Sequence, residues 1–300
     1  MPTVWLPFPV EPADLPGALT VDQWDGAGPW PASADEVELY VLPYMVGAAA
    51  LAPLPTMRRL RVLQTLTAGY DDVLAARPDG VVLCNAPGLH DASTAELALT
   101  LVLSSLRGVP DFVRAADQHR WAPSRRQALA DKTVLVLGFG GVGRAVARRL
   151  EPFETSVVAV ASRAREGVHG ADELPTLLPA ADVVVLCTPL TEATRGMVDA
   201  RFLAAMRDGA LLVNVARGPV VVTDALLPEL ASRRLTAALD VTDPEPLPPG
   251  HPLWEAPGLL LSPHVGGNTS AFPPRAYDVV VEQLRRFAAG EPLRGVVAGP

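Results

Sequence analysis

Three short patches in the second half of the chain carry side chains suited to carboxylate binding and proton transfer. Asn214-Val215-Ala216-Arg217-Gly218 places an arginine directly after an apolar run. A guanidinium there can fork two N–H bonds, one to a carboxylate and one to a neighbouring carbonyl oxygen. Asp240-Val241-Thr242-Asp243-Pro244-Glu245-Pro246-Leu247 supplies carboxylates after a second apolar run. Ser262-Pro263-His264-Val265-Gly266-Gly267 holds a histidine between a proline and two glycines, on stiff backbone beside a turn a ligand can approach. Histidine titrates near neutral pH, so it can protonate the alkoxide left when a ketone is reduced and recover the proton in oxidation. A carboxylate such as Glu245 beside the ring would fix its orientation and raise its pKa. The other four histidines, His90, His119, His169 and His251, sit in polar or Pro-rich stretches with no recognisable partner and are not candidates.

A glycine pattern precedes these patches. Gly138-Phe139-Gly140-Gly141-Val142-Gly143 matches G-x-G-x-x-G, a weak signal by itself, but here it follows an apolar strand and opens a helix. In that context Gly138 permits the tight turn, and Gly140 lets backbone N–H groups approach a pyrophosphate at the positive end of the helix. Gly143, without a Cβ, lets helix and sheet pack closely. The turn thus points to a nicotinamide dinucleotide. An NAD site usually ends the next strand on Asp or Glu, which grips the ribose 2′-hydroxyl. That strand instead runs into Ser162-Arg163-Ala164-Arg165, with no acid before Glu166. Ser162 and Arg163 suit a 2′-phosphate, so NADP(H) is favoured over NAD(H).

The elements that must position these groups read as two α/β units. Residues 1–35 are rich in Pro, Trp, Gly and Asp and read as a short opening strand followed by loops. Val37–Leu42, Leu60–Leu66 and Val81–Cys84 are strand-like and suggest a small parallel sheet. A long helix starts near Ser93, with Ser93 or Asp91 as its N-cap. Apolar strands follow at Thr133–Leu137, Val157–Ala161, Val183–Cys187, Leu211–Val215, Ala237–Val241 and Leu259–Ser262, with helices at Gly143–Leu150 and near Leu174–Leu178. Strands without polar alternation belong in a sheet covered on both faces, here a doubly wound Rossmann-type arrangement. An amphipathic helix over about Pro274–Ala289 should return to the first unit. The expected domains are therefore 1–94 with 270–300, discontinuous, for the substrate, and 95–269 for the dinucleotide.

Composition narrows the class. The chain has 300 residues, 49% hydrophobic and 19% charged, as in a soluble globular protein with room for two domains. Its net charge of −8, without a basic stripe, argues against a nucleic-acid surface. No secretory signal opens the chain, and the apolar stretch Glu96–Leu106 is too short to span a bilayer, so a cytoplasmic enzyme without membrane partners is expected. Cys84 and Cys187 lack metal-ligand spacing and read as buried, reduced thiols; no metal is expected.

The whole pattern resembles the D-isomer-specific 2-hydroxyacid dehydrogenase family, which includes glyoxylate/hydroxypyruvate reductases and phosphoglycerate dehydrogenases. The likeness runs from Leu63-Gln64-Thr65-Leu66-Thr67-Ala68-Gly69-Tyr70-Asp71 through Asn85-Ala86-Pro87-Gly88, Thr94-Ala95-Glu96, the glycine turn and Thr188-Pro189-Leu190. It continues through the three patches to Arg286-Phe287-Ala288-Ala289-Gly290-Glu291-Pro292-Leu293. The resemblance implies a flavodoxin-like substrate domain beside the dinucleotide domain. It implies hydride transfer at C2 of a small 2-oxo or 2-hydroxy acid, with His264 as acid/base, Glu245 its partner and Arg217 the ligand of the substrate carboxylate and carbonyl. It further implies that Asp240 faces the nicotinamide carboxamide and that Thr188 and Pro189 line the adenosine side. Gly138, Gly140, Gly141, Val142, Gly143, Val215, Gly266 and Gly267 would complete the coenzyme contacts. Backbone N–H groups at Ala68 and Gly69 would help hold the substrate carboxylate, and a homodimer is implied. The chain departs from the family pattern in lacking the acid after the second strand and in an N-terminal region that looks abbreviated before Val37. It closes after the last helix, so no appended regulatory domain is expected. Two alternatives stay open: a nicotinamide-sensing regulatory protein without turnover, and a phosphite or formate dehydrogenase on the same fold. The formate branch generally has glutamine where this chain has Glu245.

Overall fold

The structure, a computed structural model, describes residues 1–17 and 19–299. The chain forms two compact units, Met1–His90 with 270–300, and Asp91–Thr269. The first unit opens with strands β1 (Thr3–Leu6), β2 (Thr20–Gln23), β3 (Val37–Val41) and β4 (Val62–Gln64), helix α1 (Asp71–Leu74) and strand β5 (Val82–Cys84). The second begins with helices α2 (Asp91–Arg107) and α3 (Val109–Asp117), strand β6 (Thr133–Leu137), helix α4 (Gly141–Leu150) and strands β7 (Ser156–Ala161) and β8 (His169–Gly170). It continues with α5 (Leu174–Leu177), β9 (Val183–Leu186), α6 (Ala200–Ala205), β10 (Leu211–Asn214), α7 (Thr223–Ala231), β11 (Thr236–Leu239) and β12 (Leu259–Leu261). The chain then returns to the first unit as α8 (Phe272–Ala289) and β13 (Val296–Ala298).

Unit two is built on a seven-stranded, wholly parallel sheet in the order β12-β11-β10-β9-β6-β7-β8. Its inner strands are apolar between their ends because both faces are covered, with polar residues confined to strand ends (Thr133, Ser156, Asn214, Thr236) and to the edge strand β8. Leu135, Leu137, Val184, Leu186, Leu212 and Ala237 pack on one side with Phe202, Leu203, Leu226 and Leu230 from α6 and α7. Their neighbours Val134, Val136, Val183, Val185, Leu211 and Val213 pack on the other with Ala95, Leu99 and Val102 of α2 and Val146 of α4. The strand period of two thus assigns alternate residues to two different cores.

Unit one carries a six-stranded sheet, order β13-β5-β4-β3-β1-β2, parallel except for β13. Alternation again separates two cores: Val4, Leu6, Leu39 and Val41 with Ala276, Val280 and Leu284 of α8, and Trp5, Tyr40 and Leu63 with Trp24 and Met57. Parallel strands in the order 2-1-3-4-5 with covering helices are the flavodoxin-like arrangement.

Several expectations need correction. The segment before Val37 is not one strand and loops: β2 pairs with β1 along Thr20–Gln23, so the parallel sheet is complete rather than abbreviated. Neither Ser93 nor Asp91 is the N-cap of α2, because Asp91 is already its first helical residue. Ser93 instead bonds through its hydroxyl to Thr269 Oγ1 at 2.7 Å. Cys84 is buried as expected, but Cys187 is only partly so; desolvation pushes the two thiols up to about 11 and about 12. Among the described residues, no helix is long and apolar enough to cross a membrane.

Candidate active site

Because the sheet of unit two is parallel, every loop leaving the C-terminal end of a strand lies along one edge. The glycine turn leaves β6, Arg217 follows β10, Asp240 and Glu245 follow β11, and His264 follows β12.

The glycine turn is shaped by close approaches. Gly138 has φ 99°, and a Cβ there would run into the main chain of Cys187 and Thr188 at the end of β9. A Cβ on Gly143 would collide with the carbonyl of Gly138, and one on Gly141 with the Asp91 carboxylate. Gly140 differs: its φ is −82°, and nothing lies within 4 Å of where a Cβ would stand. No side chain caps the start of α4. Thr188 Oγ1 is buried and has no partner among the described residues. An uncapped helix N-terminus, open space at one glycine and an orphaned hydroxyl beside the turn together fit a dinucleotide pyrophosphate.

Past β7, Ser162 and Arg163 are exposed. Arg165 is exposed too, but it is tethered. Its main chain exchanges two hydrogen bonds with Val168, 2.9 and 2.8 Å, and its Nη2 donates to the Phe139 carbonyl of the glycine turn at 3.1 Å. Arg144 Nη1 donates to the same carbonyl at 3.3 Å. Reading for residue type favours Arg163, with Arg165 as a second guanidinium in the same loop, and passes over Arg144. Pro189 is exposed and Val215 buried, at the ends of the neighbouring strands β9 and β10.

The ring of His264 meets Glu245, Nδ1 to Oε1, at 2.5 Å. The hydrogen bond to Glu245 raises the histidine pKa against the opposing effect of burial; the charges of Glu245 and Asp240 add to the rise, and Arg217 works against it. For Glu245 burial pulls upward, but the His264 bond and charge, the Thr242 N–H and Arg217 outweigh it and leave the carboxyl below its ordinary value. The pair therefore favours imidazolium with carboxylate, and Nε2 remains as the second ring nitrogen for a reacting atom. His264 has φ 52°, a left-handed conformation rare for a side chain of this size. Asp240, 3% exposed, holds it there. Its carbonyl accepts from His264 N at 2.7 Å, its Oδ1 from Ser262 Oγ at 2.7 Å and Val265 N at 2.9 Å, and its Oδ2 from Gly266 N at 2.9 Å. A Cβ on Gly266 would stand 3.0 Å from Oδ2, so that glycine serves the Asp240 clasp. Gly267 follows in the same turn, where Thr269 N donates to its carbonyl at 3.1 Å.

Arg217 lies in extended backbone, φ −145° and ψ 145°, with Nη1 on the Ala216 carbonyl at 2.8 Å. Within unit one, Ala68 and Gly69 follow β4, and their carbonyls accept from Asn85 Nδ2 at 2.7 Å and Thr67 Oγ1 at 2.5 Å. Three of the histidines set aside do have partners. His90 is buried against the rings of Tyr44 and Phe272, 5.1 and 5.4 Å between centroids, with those two rings themselves 4.3 Å apart and Nε2 2.9 Å from the Leu66 carbonyl. His169 pairs with Glu173 at 2.8 Å. His251 accepts from Leu253 N at 3.2 Å, capping the turn after it.

Comparison with known proteins matches residues 99–266 to the model of the D-isomer specific 2-hydroxyacid dehydrogenase, NAD binding domain. The chain belongs to the D-isomer specific 2-hydroxyacid dehydrogenase family. These dehydrogenases are oxidoreductases with nicotinamide coenzymes. The human glyoxylate reductase/hydroxypyruvate reductase is 30% identical over 298 residues, covering 91% of this chain and 89% of the relative. The D-3-phosphoglycerate dehydrogenase of Archaeoglobus fulgidus is 32% identical over 253 residues, 81% of this chain, but the match spans only 48% of that longer dehydrogenase. Among solved structures, a D-isomer specific 2-hydroxyacid dehydrogenase from Xanthobacter autotrophicus Py2, in complex with NADPH and MES, superposes with a TM-score of 0.78. It is 33% identical, covering 99% of this chain and 98% of that one.

Proposed function

We propose that this family member transfers a hydride between nicotinamide and C2 of a small 2-oxo or D-2-hydroxy acid, with NADP(H) favoured over NAD(H). The observation that carries the reading is the His264–Glu245 pair at 2.5 Å, with Arg217 near enough to affect both groups, on the sheet edge that also carries the glycine turn. Unit two is the coenzyme domain and unit one the substrate domain. The nicotinamide, when bound, supplies or accepts the hydride. His264 holds a proton on Nε2 for the C2 oxygen in reduction and recovers it in oxidation, while Glu245 stabilises the imidazolium through Nδ1. Arg217 forks onto the substrate carboxylate and carbonyl. Asp240 retains lone pairs for the carboxamide, and Thr188, with its orphaned hydroxyl, lines the adenosine side with Pro189. Ser162, Arg163 and Arg165 supply a hydroxyl and two guanidinium groups for a 2′-phosphate, where an acid would repel it.

A panel of 2-oxo acids with NADPH and NADH, followed by nicotinamide absorbance, tests this reading. Turnover of at least one small 2-oxo acid, faster with NADPH, is expected. Tight NADPH binding with no turnover of any acid would replace the enzyme with a sensor. Turnover of phosphite or formate alone would move the substrate class.

A further inference from the structure

Asn214 is the last residue of β10, 1% exposed, and has no place in the chemistry described above. A buried amide needs partners for both ends. Both of its partners lie in the Arg217 loop: Oδ1 accepts from Ala216 N at 3.0 Å, and Nδ2 donates to the Arg217 carbonyl at 2.9 Å. That carbonyl also accepts from Val220 N at 3.3 Å, so the peptide after Arg217 is held from two directions. The loop is pressed from outside as well, because a Cβ on Gly218 would collide with the Thr242 carbonyl. The main-chain carbonyl of Asn214 receives Asp240 N at 2.9 Å, which joins this clasp to the one around His264.

We infer that Asn214 is a positioning residue for substrate binding, which fixes the Arg217 backbone so that the guanidinium meets the substrate carboxylate in one orientation. The inference rests on the role given to Arg217 above. An apolar side chain at this strand end would serve the core as well as its neighbours do. An asparagine is needed only if the following loop must be held, and the side chain reaches the residues on either side of the Ala216–Arg217 peptide. Misplacing a positioning group by about an ångström can cost roughly a hundredfold in rate.

The test is a double-mutant cycle between Asn214→Ala and Arg217→Gln in the full-length protein, read by calorimetric binding of oxalate, a non-reacting dicarboxylate probe, to the NADPH complex. Thermal midpoint and NADPH affinity of each variant report folding and coenzyme binding. Asn214→Ala should weaken oxalate about tenfold or more with NADPH affinity within about twofold of wild type. In the Arg217→Gln background the same change should have almost no further effect. Equal weakening in both backgrounds, or NADPH affinity lost in parallel, would make Asn214 a general structural residue and overturn the inference. Asn214→Ser, which keeps a short donor and acceptor toward the loop, should recover part of the oxalate affinity lost in the alanine variant. No recovery alongside additive effects also counts against it. If the wild-type NADPH complex binds no oxalate, the substrate role of Arg217 fails first, which is a distinguishable result.

Discussion

His264 keeps its proton to higher pH than a free imidazole because Glu245 bonds to Nδ1, and Glu245 stays ionised to lower pH because His264 and Arg217 favour its charge. A raised histidine pKa adds stability below the unfolded value that is lost as pH rises through the folded one. A lowered carboxyl pKa adds stability above the unfolded value that is lost as pH falls through the folded one. The pair therefore contributes between these limits, and only modestly, since both side chains are about two-fifths exposed. In the proposed mechanism reduction needs His264 protonated, so its rate should fall as pH rises through the raised pKa. Glu245→Gln removes the carboxylate charge, and the alkaline limb of the pH–rate profile should move to lower pH; an unmoved profile would uncouple Glu245 from the histidine. Coenzyme choice is decided at the same scale. Arg163→Ala and Arg165→Ala should each raise the KM for NADPH about tenfold, corresponding to roughly 1–2 kcal/mol for an exposed charged contact, and leave NADH almost unchanged. Arg165 should have the larger effect because its backbone and guanidinium are already fixed. Steady-state kinetics with both coenzymes decide this, and a wild-type preference for NADH would make these arginines solvent-facing loop residues only.

At the scale of elements, glycines of one motif have separable causes. Gly143→Ala would drive a methyl into the Gly138 carbonyl and should lower the thermal midpoint markedly. Gly140→Ala meets open space at an ordinary φ, so the fold should persist while NADPH binding weakens about tenfold. Scanning calorimetry beside coenzyme titration separates the two, and equal losses of stability would refute the distinction. The same physics explains what could be read in advance. Six of the seven strands of unit two were legible because burial on both faces writes itself as runs of Val, Leu and Ala, and the candidate patches because they directly follow such runs; the two-residue edge strand β8, His169–Gly170, carries no such run. β2 was missed because Thr20-Val21-Asp22-Gln23 is a short, half-polar edge strand, and β13 because its three residues complete the opposite edge. α3 and α7 were obscured by Pro110 and Pro228. The cluster of the His90, Tyr44 and Phe272 rings joins residues far apart in sequence, so no local pattern could announce it. The Asp240 and Asn214 clasps escaped for the same reason: they are hydrogen bonds from strand ends to backbone across a loop or a neighbouring strand.

At the scale of the whole molecule, unit two carries an exposed apolar element. Trp121 is 96% exposed, and Val109, Phe112 and Val113 of α3 are exposed nearby in sequence. We propose that these residues form one patch that a second copy of the chain covers. Sedimentation should then show a dimer that Trp121→Ser together with Val113→Asp converts to monomer; a monomeric wild type at micromolar concentration would contradict it. The central claim is that proton transfer passes through His264, and one comparison tests it directly. His264→Asn should bind NADPH with nearly wild-type affinity, while its kcat on the best 2-oxo acid falls by roughly 10²–10⁴, the share of a positioned acid/base. Near-normal turnover in that variant, with coenzyme bound, would contradict the account.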